Sequence, residues 1–331
     1  MKPLKNYLEN LKVKLLVSGD WHIKLGQKNV PIEWAKNRYS AFFDKMHALE
    51  KTVDINIITG DVFDRMPSIE ELELYFVYIQ NVCVKTIIIP GNHESIKKNT
   101  TFLTNLKRIT NVLNPLVHII DDFATIDGID FIPYNKLKEY HPQDIDFHSD
   151  VLVTHCRGEI PPHVKPEVPL ELFERWEVVL AGDLHSYANS QRNILYPGSP
   201  MSTSFHRSPV DNGVIIFDTQ DLTHEWVSLG LPQLLRKTIQ AGDSMPATDY
   251  DHTIYEVEGD MAQLSGVENH TLLDKKVAKR STDVALILEP DMSMAEELSE
   301  YLQYIQQLNE ESLQAVLQEF RALEALIGVN L

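Results

Sequence analysis

Five apolar runs of strand length each end in a turn built from Gly, Asp, Asn or His, and this recurrence restricts the fold more than any other feature. The first is LLVSGDWH, where Asp20 and His22 follow the run from Lys12 to Ser18 and a turn at Gly19. The second, ITGDVFD, ends its apolar run at Asp61; the third, IIIPGNHE, presents Asn92 and His93 after a Pro-Gly turn. The fourth, VLVTHC, ends in His155, and the fifth, VVLAGDLH, in Asp183 and His185. Residues just past the carboxyl end of a strand face the crevice in which open α/β sheets bind ligands. A lone Asp-x-His reads as a turn aspartate beside an incidental histidine. Five such ends in series instead supply the oxygen and imidazole donors that hold a pair of divalent cations. The two oxygens of Asp61 suit ions about 3.5–4 Å apart. The Asn92 carbonyl is a hard ligand, and His93 beside it is left free for proton work.

Other strand-like runs fall near 129–133, 193–196, 213–217 and 224–228. Between the early ones the period is helical. Ser68 and Glu71 form a capping box ahead of Ile69, Leu72, Phe76 and Ile79, and a second helix is expected over 101–113 with Phe102, Leu106, Ile109 and Leu113 on one face. A first half reading β-α-β-α-β and a strand-rich second half predict an α/β protein with two packed mixed sheets and helices outside. Past residue 229 the pattern changes. Residues 230–290, with strands expected at Thr253–Val257 and Asp283–Leu288, read as a small α+β appendage closed by Pro290. Residues 291–331 read as C-terminal helices: a capping box at Ser293 and Glu296, then a helix capped by Asn309 whose Leu313, Val316, Leu317, Phe320, Leu323 and Ile327 make an apolar stripe up to Gly328. The expected domains are therefore 1–229, 230–290 and 291–331.

A net charge of −18 argues against a protein that coats nucleic acid by bulk electrostatics. It leaves room for an enzyme that sets cations in a nest of carboxylates and shares its grip on an anionic substrate with a partner. No apolar run approaches a membrane span, and the N-terminus lacks a signal-peptide pattern, so a soluble cytoplasmic chain is expected. Cys83 reads as a buried free thiol, Cys156 as packing or incidental. Trp21 either shapes the pocket wall or packs; His206 and Arg207 either touch an incoming DNA strand or lie in a solvated loop. Lys97 and Lys98 steer phosphates or start a charged helix. LDKKVAKR, residues 273–280, is the one dense basic cluster, an anion contact or a solvated face. Residues 291–331 hold eight acids against Arg321 alone, so the apolar stripe there suits docking of another protein, or of its own domain, and not phosphate binding.

These motifs resemble those of the calcineurin-like metallophosphoesterases over residues 13–200. LYPGSPMSTSF, residues 195–205, followed by GVIIFD at 213–218, resembles the Pro-Gly-Ser-Pro segment and next strand of SbcD-like DNA repair nucleases. The resemblance implies a four-layer sandwich, two mixed sheets flanked by helices, in a compact phage-type version of that family. It implies Asp20, His22, Asp61 and His185 around one metal, Asp61, Asn92, His155 and Asp183 around the other, and His93 as the acid for the leaving oxygen. Two divalent ions are implied, Mn²⁺ first and Mg²⁺ as the alternative, with a water activated between them. By resemblance the chain is a DNA exonuclease and endonuclease subunit of an SbcCD-type complex in double-strand break repair and recombination. Its partners would be DNA, an SbcC-like ATPase docking on 291–331, and a second copy through the helices at 68–80 and 101–113; a phage-encoded chain would work in the host cytoplasm.

Two positions depart from the family pattern. Asp183 stands where the family has His, adding a third carboxylate, which predicts tighter holding of hard ions and a higher pH optimum. Asp64 stands where some relatives have His, a pattern shared with phosphoprotein phosphatases; its side chain is expected to hydrogen-bond His93 and raise its pKa. That pattern also supports a rival reading as a phosphoprotein or small-molecule phosphoesterase. A second rival is a binding module with a vestigial metal site.

Overall fold

The apolar runs become the strands of two mixed sheets that pack face to face. In the computed structural model, which describes residues 12–97, 100–278, 292–306 and 308–327, a six-stranded sheet has the order Thr223–Ser228, Gly213–Asp218, Lys14–Ser18, Ile55–Ile58, Lys85–Ile88, Val117–Ile119. The last four strands are parallel, and the first two join antiparallel. A five-stranded sheet has the order Ile194–Leu195, Val178–Gly182, Val151–His155, Ile129–Ile132, Ala124–Ile126, parallel except for its closing hairpin.

Strands covered on both faces are largely apolar, and alternate side chains separate into two cores. Leu15, Val17, Ile57 and Ile87 meet Phe131, Val153 and Leu180 between the sheets. Leu16, Ile58 and Ile88 point the other way, against Trp21, Phe42, Tyr78 and Ile79 under the helices Ile32–Glu50, Ile69–Asn81 and Phe102–Leu113. Leu152, Val179 and Ala181 pack outward on Tyr140, Phe147, Phe173 and Trp176, completing the four layers. Trp21 does both things expected of it: its ring meets Phe42 and Tyr78 edge-on at 4.9 and 4.8 Å, and it also lines a cleft.

Both helix stripes are met in part: Leu72, Phe76 and Ile79 on the first helix and Phe102 and Leu106 on the second pack on the core, while Ile69, Ile109 and Leu113 do not. On Ile69–Asn81 the capping box with Ser68 forms, and the buried residues are Glu71, Tyr75, Tyr78 and Ile79, while Ile69 faces solvent. Glu71 turns inward because its carboxylate also accepts the Leu25 N–H at 2.8 Å and pairs with Arg65 at 3.2 Å. On Phe102–Leu113 the buried residues are Leu103, Leu106 and Thr110, and Ile109, Val112 and Leu113 are exposed. Cys83 is exposed, against expectation, and Cys156 is buried.

The described chain divides into two compact units. The larger runs to Thr238 and includes Ser244–Glu256 and His270–Asp274; the smaller is made of Ile239–Asp243, Val257–Asn269 and the chain from Lys275 on. Leu234–Gln240, His252–Gly259 and Leu273–Ala278 form a three-stranded sheet in that order. In the smaller unit the capping box at Ser293 and Glu296 opens helix Met294–Glu300. Asn309 caps helix Glu310–Ile327, whose Leu313 and Leu317 are buried while Val316 and Leu323 are exposed. No helix among the described residues is long and apolar enough to cross a membrane. Lys98, Lys279, Arg280, the strand expected at 283–288, Pro290 and Gly328 lie outside the described residues.

Candidate metal centre

The five strand ends meet at one edge of the two sheets. Parallel register puts the carboxyl ends of neighbouring strands side by side, so the turns that follow Ser18, Ile58 and Ile88 converge with the ends of Val151–His155 and Val178–Gly182. Asp20, His22 and Asp61 have φ of 53°, 45° and 52°, and Asp183 has 102°. This left-handed backbone swings each side chain sideways off its strand. The first two turns are tied by Asp20 N–H to Gly60 O at 3.0 Å and His22 N–H to Asp61 O at 3.0 Å. Gly91 has no substitute, since a Cβ there would lie 2.2 Å from Asp61 Oδ1.

All seven side chains expected around metal come together. His22 Nε2 faces His185 Nε2 at 3.1 Å and Asp61 Oδ2 at 3.7 Å. His155 Nε2 lies 3.0 Å from Asn92 Oδ1, 3.6 Å from Asp61 Oδ2 and 3.8 Å from Asp183 Oδ1. His185 Nε2 is 3.9 Å from Asp20 Oδ1, and the Asp183 N–H donates to both Asp20 oxygens at 3.1 and 3.2 Å. Three groups, Asp20–His22–His185, His22–Asp61–His93 and Asp20–Asp61–His155, each bring their ligand atoms within 4.8 Å of one another. His155 Nδ1 donates to Thr59 O at 2.8 Å, which leaves its Nε2 lone pair directed at the centre.

The electrostatics of the cluster are those of a cation site. Burial pushes both the Asp20 and Asp61 carboxyls up to about 8, with neighbouring carboxylates adding to the rise. Burial holds His22 well below the usual imidazole range and lowers His185 against the opposing Asp183 charge, with the other histidines adding to both. Two neutral imidazoles facing each other through Nε2, beside two buried carboxylates, form a donor set short of a positive charge. Nitrogen and oxygen donors in this number fit divalent metal ions.

Two sequence expectations are corrected here. The side chain of Asp64 does not hydrogen-bond His93. His93 Nδ1 donates to the Asp64 backbone carbonyl at 2.6 Å, while the Asp64 carboxylate takes Lys24 Nζ at 3.0 Å and stands 3.7 Å from His22 Nδ1. Nor is Asp183 an uncompensated third carboxylate. Arg157 forks onto it, Nε to Oδ2 at 3.1 Å and Nη2 to Oδ1 at 3.3 Å, which removes the electrostatic basis for tighter ion holding and a raised pH optimum.

Three residues escaped the sequence reading. Glu94 was legible only as the last letter of its motif. It is fully buried and accepts the N–H groups of Asp61 at 3.1 Å, Phe63 at 2.9 Å and Gly91 at 2.8 Å, so it ties two ligand turns together. Burial, then the Asp61 charge, pushes its carboxyl up to about 7. Arg157 and Thr203, whose Oγ1 lies 3.3 Å from His185 Nδ1, carry no local signal at all. His206 and Arg207 are held by the larger unit, Arg207 on Glu256 at 2.6 Å and on Thr238 at 2.7 Å.

A phosphoesterase is the class that this sandwich and this edge cluster define, and the family model for calcineurin-like phosphoesterases matches residues 13–200. The chain belongs to that family. It is 39% identical over 318 residues to "Probable exonuclease subunit 1" of Escherichia phage T5, covering 92% of this chain and 97% of that protein. An uncharacterized protein of Acanthamoeba polyphaga mimivirus is 22% identical over 63% of this chain and 18% of its own length. A crystal structure from Thermus thermophilus aligns with a TM-score of 0.41 at 10% identity, over 66% of this chain and 99% of that one.

Proposed function

We propose that the chain is the nuclease subunit of an SbcCD-type complex, a Mn²⁺-dependent DNA exonuclease and endonuclease that acts in double-strand break repair and recombination. One observation carries the reading: seven donor side chains from five strand ends meet, in a chain 39% identical to a phage protein named as an exonuclease subunit. Asp20, His22, Asp61 and His185 would hold one ion, and Asp61, Asn92, His155 and Asp183 the other. Bound there, the ions supply Lewis-acid polarisation of a phosphoryl oxygen and neutralise charge on the phosphodiester.

The chain's own residues do the rest. His93 has its Nδ1 proton fixed on the Asp64 carbonyl, and its Nε2 sits 4.0 Å from Asp61 Oδ2 on a ring 38% exposed. It is the acid placed to protonate the leaving oxygen at Nε2. Asp64 serves through its backbone.

Residues 1–229 form the nuclease domain, 230–290 a small domain that contacts duplex DNA, and 291–331 the docking segment for an SbcC-like ATPase. The acidic helix Glu310–Ile327, with Val316 and Leu323 exposed, supports the last assignment. A homodimer through Ile69–Asn81 and Phe102–Leu113 is supported by the exposed Ile69, Val77, Ile109 and Val112. A phage-encoded chain would act in the host cytoplasm. The test is incubation of the purified chain with linear duplex DNA and Mn²⁺, with and without the ATPase, beside His93→Ala and a chelator control. Shortening of DNA that both controls abolish supports the reading; intact DNA in every lane refutes it.

A further inference from the structure

Beside the metal centre lies a small cleft, open on one side, whose lining includes His22, Lys24, Gln27, Trp34, Arg38 and Thr203. Two buried side-chain atoms without a hydrogen-bond partner among the described residues, His22 Nδ1 and Arg38 Nε, belong to this one lining. Both are nitrogen positions that can carry a proton. Arg38 is 7% exposed, its Nη2 bonded to Ser202 O at 2.7 Å and Ser202 Oγ at 2.9 Å, and no carboxylate stands within ion-pair distance of it among the described residues. The lining holds no Asp or Glu. The acids that face these groups lie outside the lining: the Asp251 charge acts on Arg38, and Asp64, 3.7 Å from His22 Nδ1, is already paired with Lys24 at 3.0 Å.

A buried guanidinium with no carboxylate at ion-pair distance is costly, and so are the two buried nitrogens, Arg38 Nε and His22 Nδ1, left without an acceptor. What relieves both is an oxygen-rich anion. Arg, Lys, imidazole N–H and Thr are the donors such an anion uses, and the two permanent cations, Arg38 and Lys24, do not suit a cation. Trp34 supplies a flat wall, with the Arg38 guanidinium 5.4 Å from its ring centroid and His252 5.2 Å away.

The cleft adjoins the centre through two shared residues. His22 presents Nε2 to His185 and Asp61 and leaves Nδ1 without a partner, while Thr203 reaches His185 Nδ1. A strand with one phosphate in the centre carries its next phosphate a single nucleotide step away.

We propose that this cleft is an anion subsite that takes the backbone phosphate flanking the scissile one. Arg38 and Lys24 supply the charge, His22 Nδ1 and Thr203 the hydrogen bonds, and Trp34 the stacking face for the attached nucleoside. That the anion is a DNA phosphate rests on the nuclease reading; that the cleft binds an anion does not.

Two experiments test this separately. Inorganic phosphate titrated into metal-free protein in chelator should give a saturable change in tryptophan fluorescence. Trp34→Phe should diminish the signal, Trp21 being the other tryptophan of the lining, and Lys24→Gln should weaken binding about tenfold. No saturable change, or the same affinity in Lys24→Gln, overturns the anion site. Lys24 is partly exposed, so this variant keeps the test alive even where Arg38→Gln fails to fold. In the second experiment, oligonucleotides carry one neutral methylphosphonate on either side of a fixed cleavage position. The wild type should lose about tenfold in kcat/KM with one of them, and Lys24→Gln should lose nothing further on that same substrate. An equal penalty in both proteins overturns the flanking-phosphate assignment. Absence of cleavage on every oligonucleotide refutes the nuclease reading instead, and the phosphate titration still decides the cleft.

Discussion

Removing Glu94 should damage both stability and metal binding, because its carboxylate is the shared acceptor of two ligand turns. In Glu94→Ala the N–H groups of Asp61, Phe63 and Gly91 lose their partner in a site where Glu94 is 2% exposed. An orphaned buried donor costs about 1–3 kcal/mol. Three of them, softened by water entering the space left behind, come to about 3–5 kcal/mol. On a chain of this size that is a fall in melting temperature of about 4–7 °C. Glu94→Gln should cost about 1–3 kcal/mol, since its amide accepts on one side and turns a donor toward a donor on the other. Asp61 belongs to two of the three donor groups, so Mn²⁺ affinity by calorimetry should fall at least about tenfold in the Ala variant. An Ala variant that melts within about 2 °C of wild type and binds Mn²⁺ equally well would refute the view that Glu94 organises the centre.

Three further outcomes follow from the same geometry. Arg157→Gln should tighten divalent-ion binding several-fold by uncovering the Asp183 charge, and should do nothing in an Asp183→His background; equal effects in both backgrounds, by calorimetry, would break the link between the two residues. Asp64→Asn should leave the His93 limb of the pH–rate profile in place, because the backbone carbonyl makes the contact, and should act instead on metal dependence through His22; loss of that limb would restore the side-chain role. In chelator, melting temperature should fall as pH rises from about 5 to about 9. Asp20, Asp61 and Glu94 hold protons in the folded protein up to about 8, 8 and 7, so the stability they contribute is complete below their ordinary range and lost as pH climbs through these values. Saturating Mn²⁺ should raise the melting temperature most at the alkaline end, and a flat profile would show that the carboxyls are not held in this way.

What the sequence reveals here is what has a short range or a fixed period. Ser68 and Glu71 announce a helix start because the capping box closes within three residues, and the Lys14–Ser18 and Ile55–Ile58 runs announce buried strands because both faces are apolar. The donors at the strand ends are legible for the same reason, each sitting one turn beyond a readable run. Helix phase is less legible. Glu71 turned inward to serve the Leu25 N–H, while Ile69, expected on the buried stripe, faces solvent. Least legible are contacts whose partner is remote or whose atom is ambiguous. Arg157 and Asp183 are 26 residues apart with no periodic relation. Asp64 reaches His93 as expected by residue but not by atom, since the choice between carbonyl and carboxylate depends on the backbone trace after Asp61.

That trace explains why the centre exists before any ion arrives. Of the eight non-glycine residues with positive φ among the described residues, four are Asp20, His22, Asp61 and Asp183, so half of this strain lies in one cluster of donors. Each such residue costs about 1–3 kcal/mol. The cost is offset locally: Asp20, His22 and Ile23 bond the carbonyls of Gly60, Asp61 and Val62, so the first two turns run side by side past the ends of their strands. Glu94 then fastens the second turn to the third, and the Asp183 N–H fastens the fifth to Asp20. Charge repulsion among the carboxylates would push these turns apart, and protonation at neutral pH is how the metal-free cluster withstands it. A site held in shape by backbone bonds and by protons can exchange those protons for cations without rebuilding its turns, which is the preorganisation that two-metal phosphoester chemistry requires.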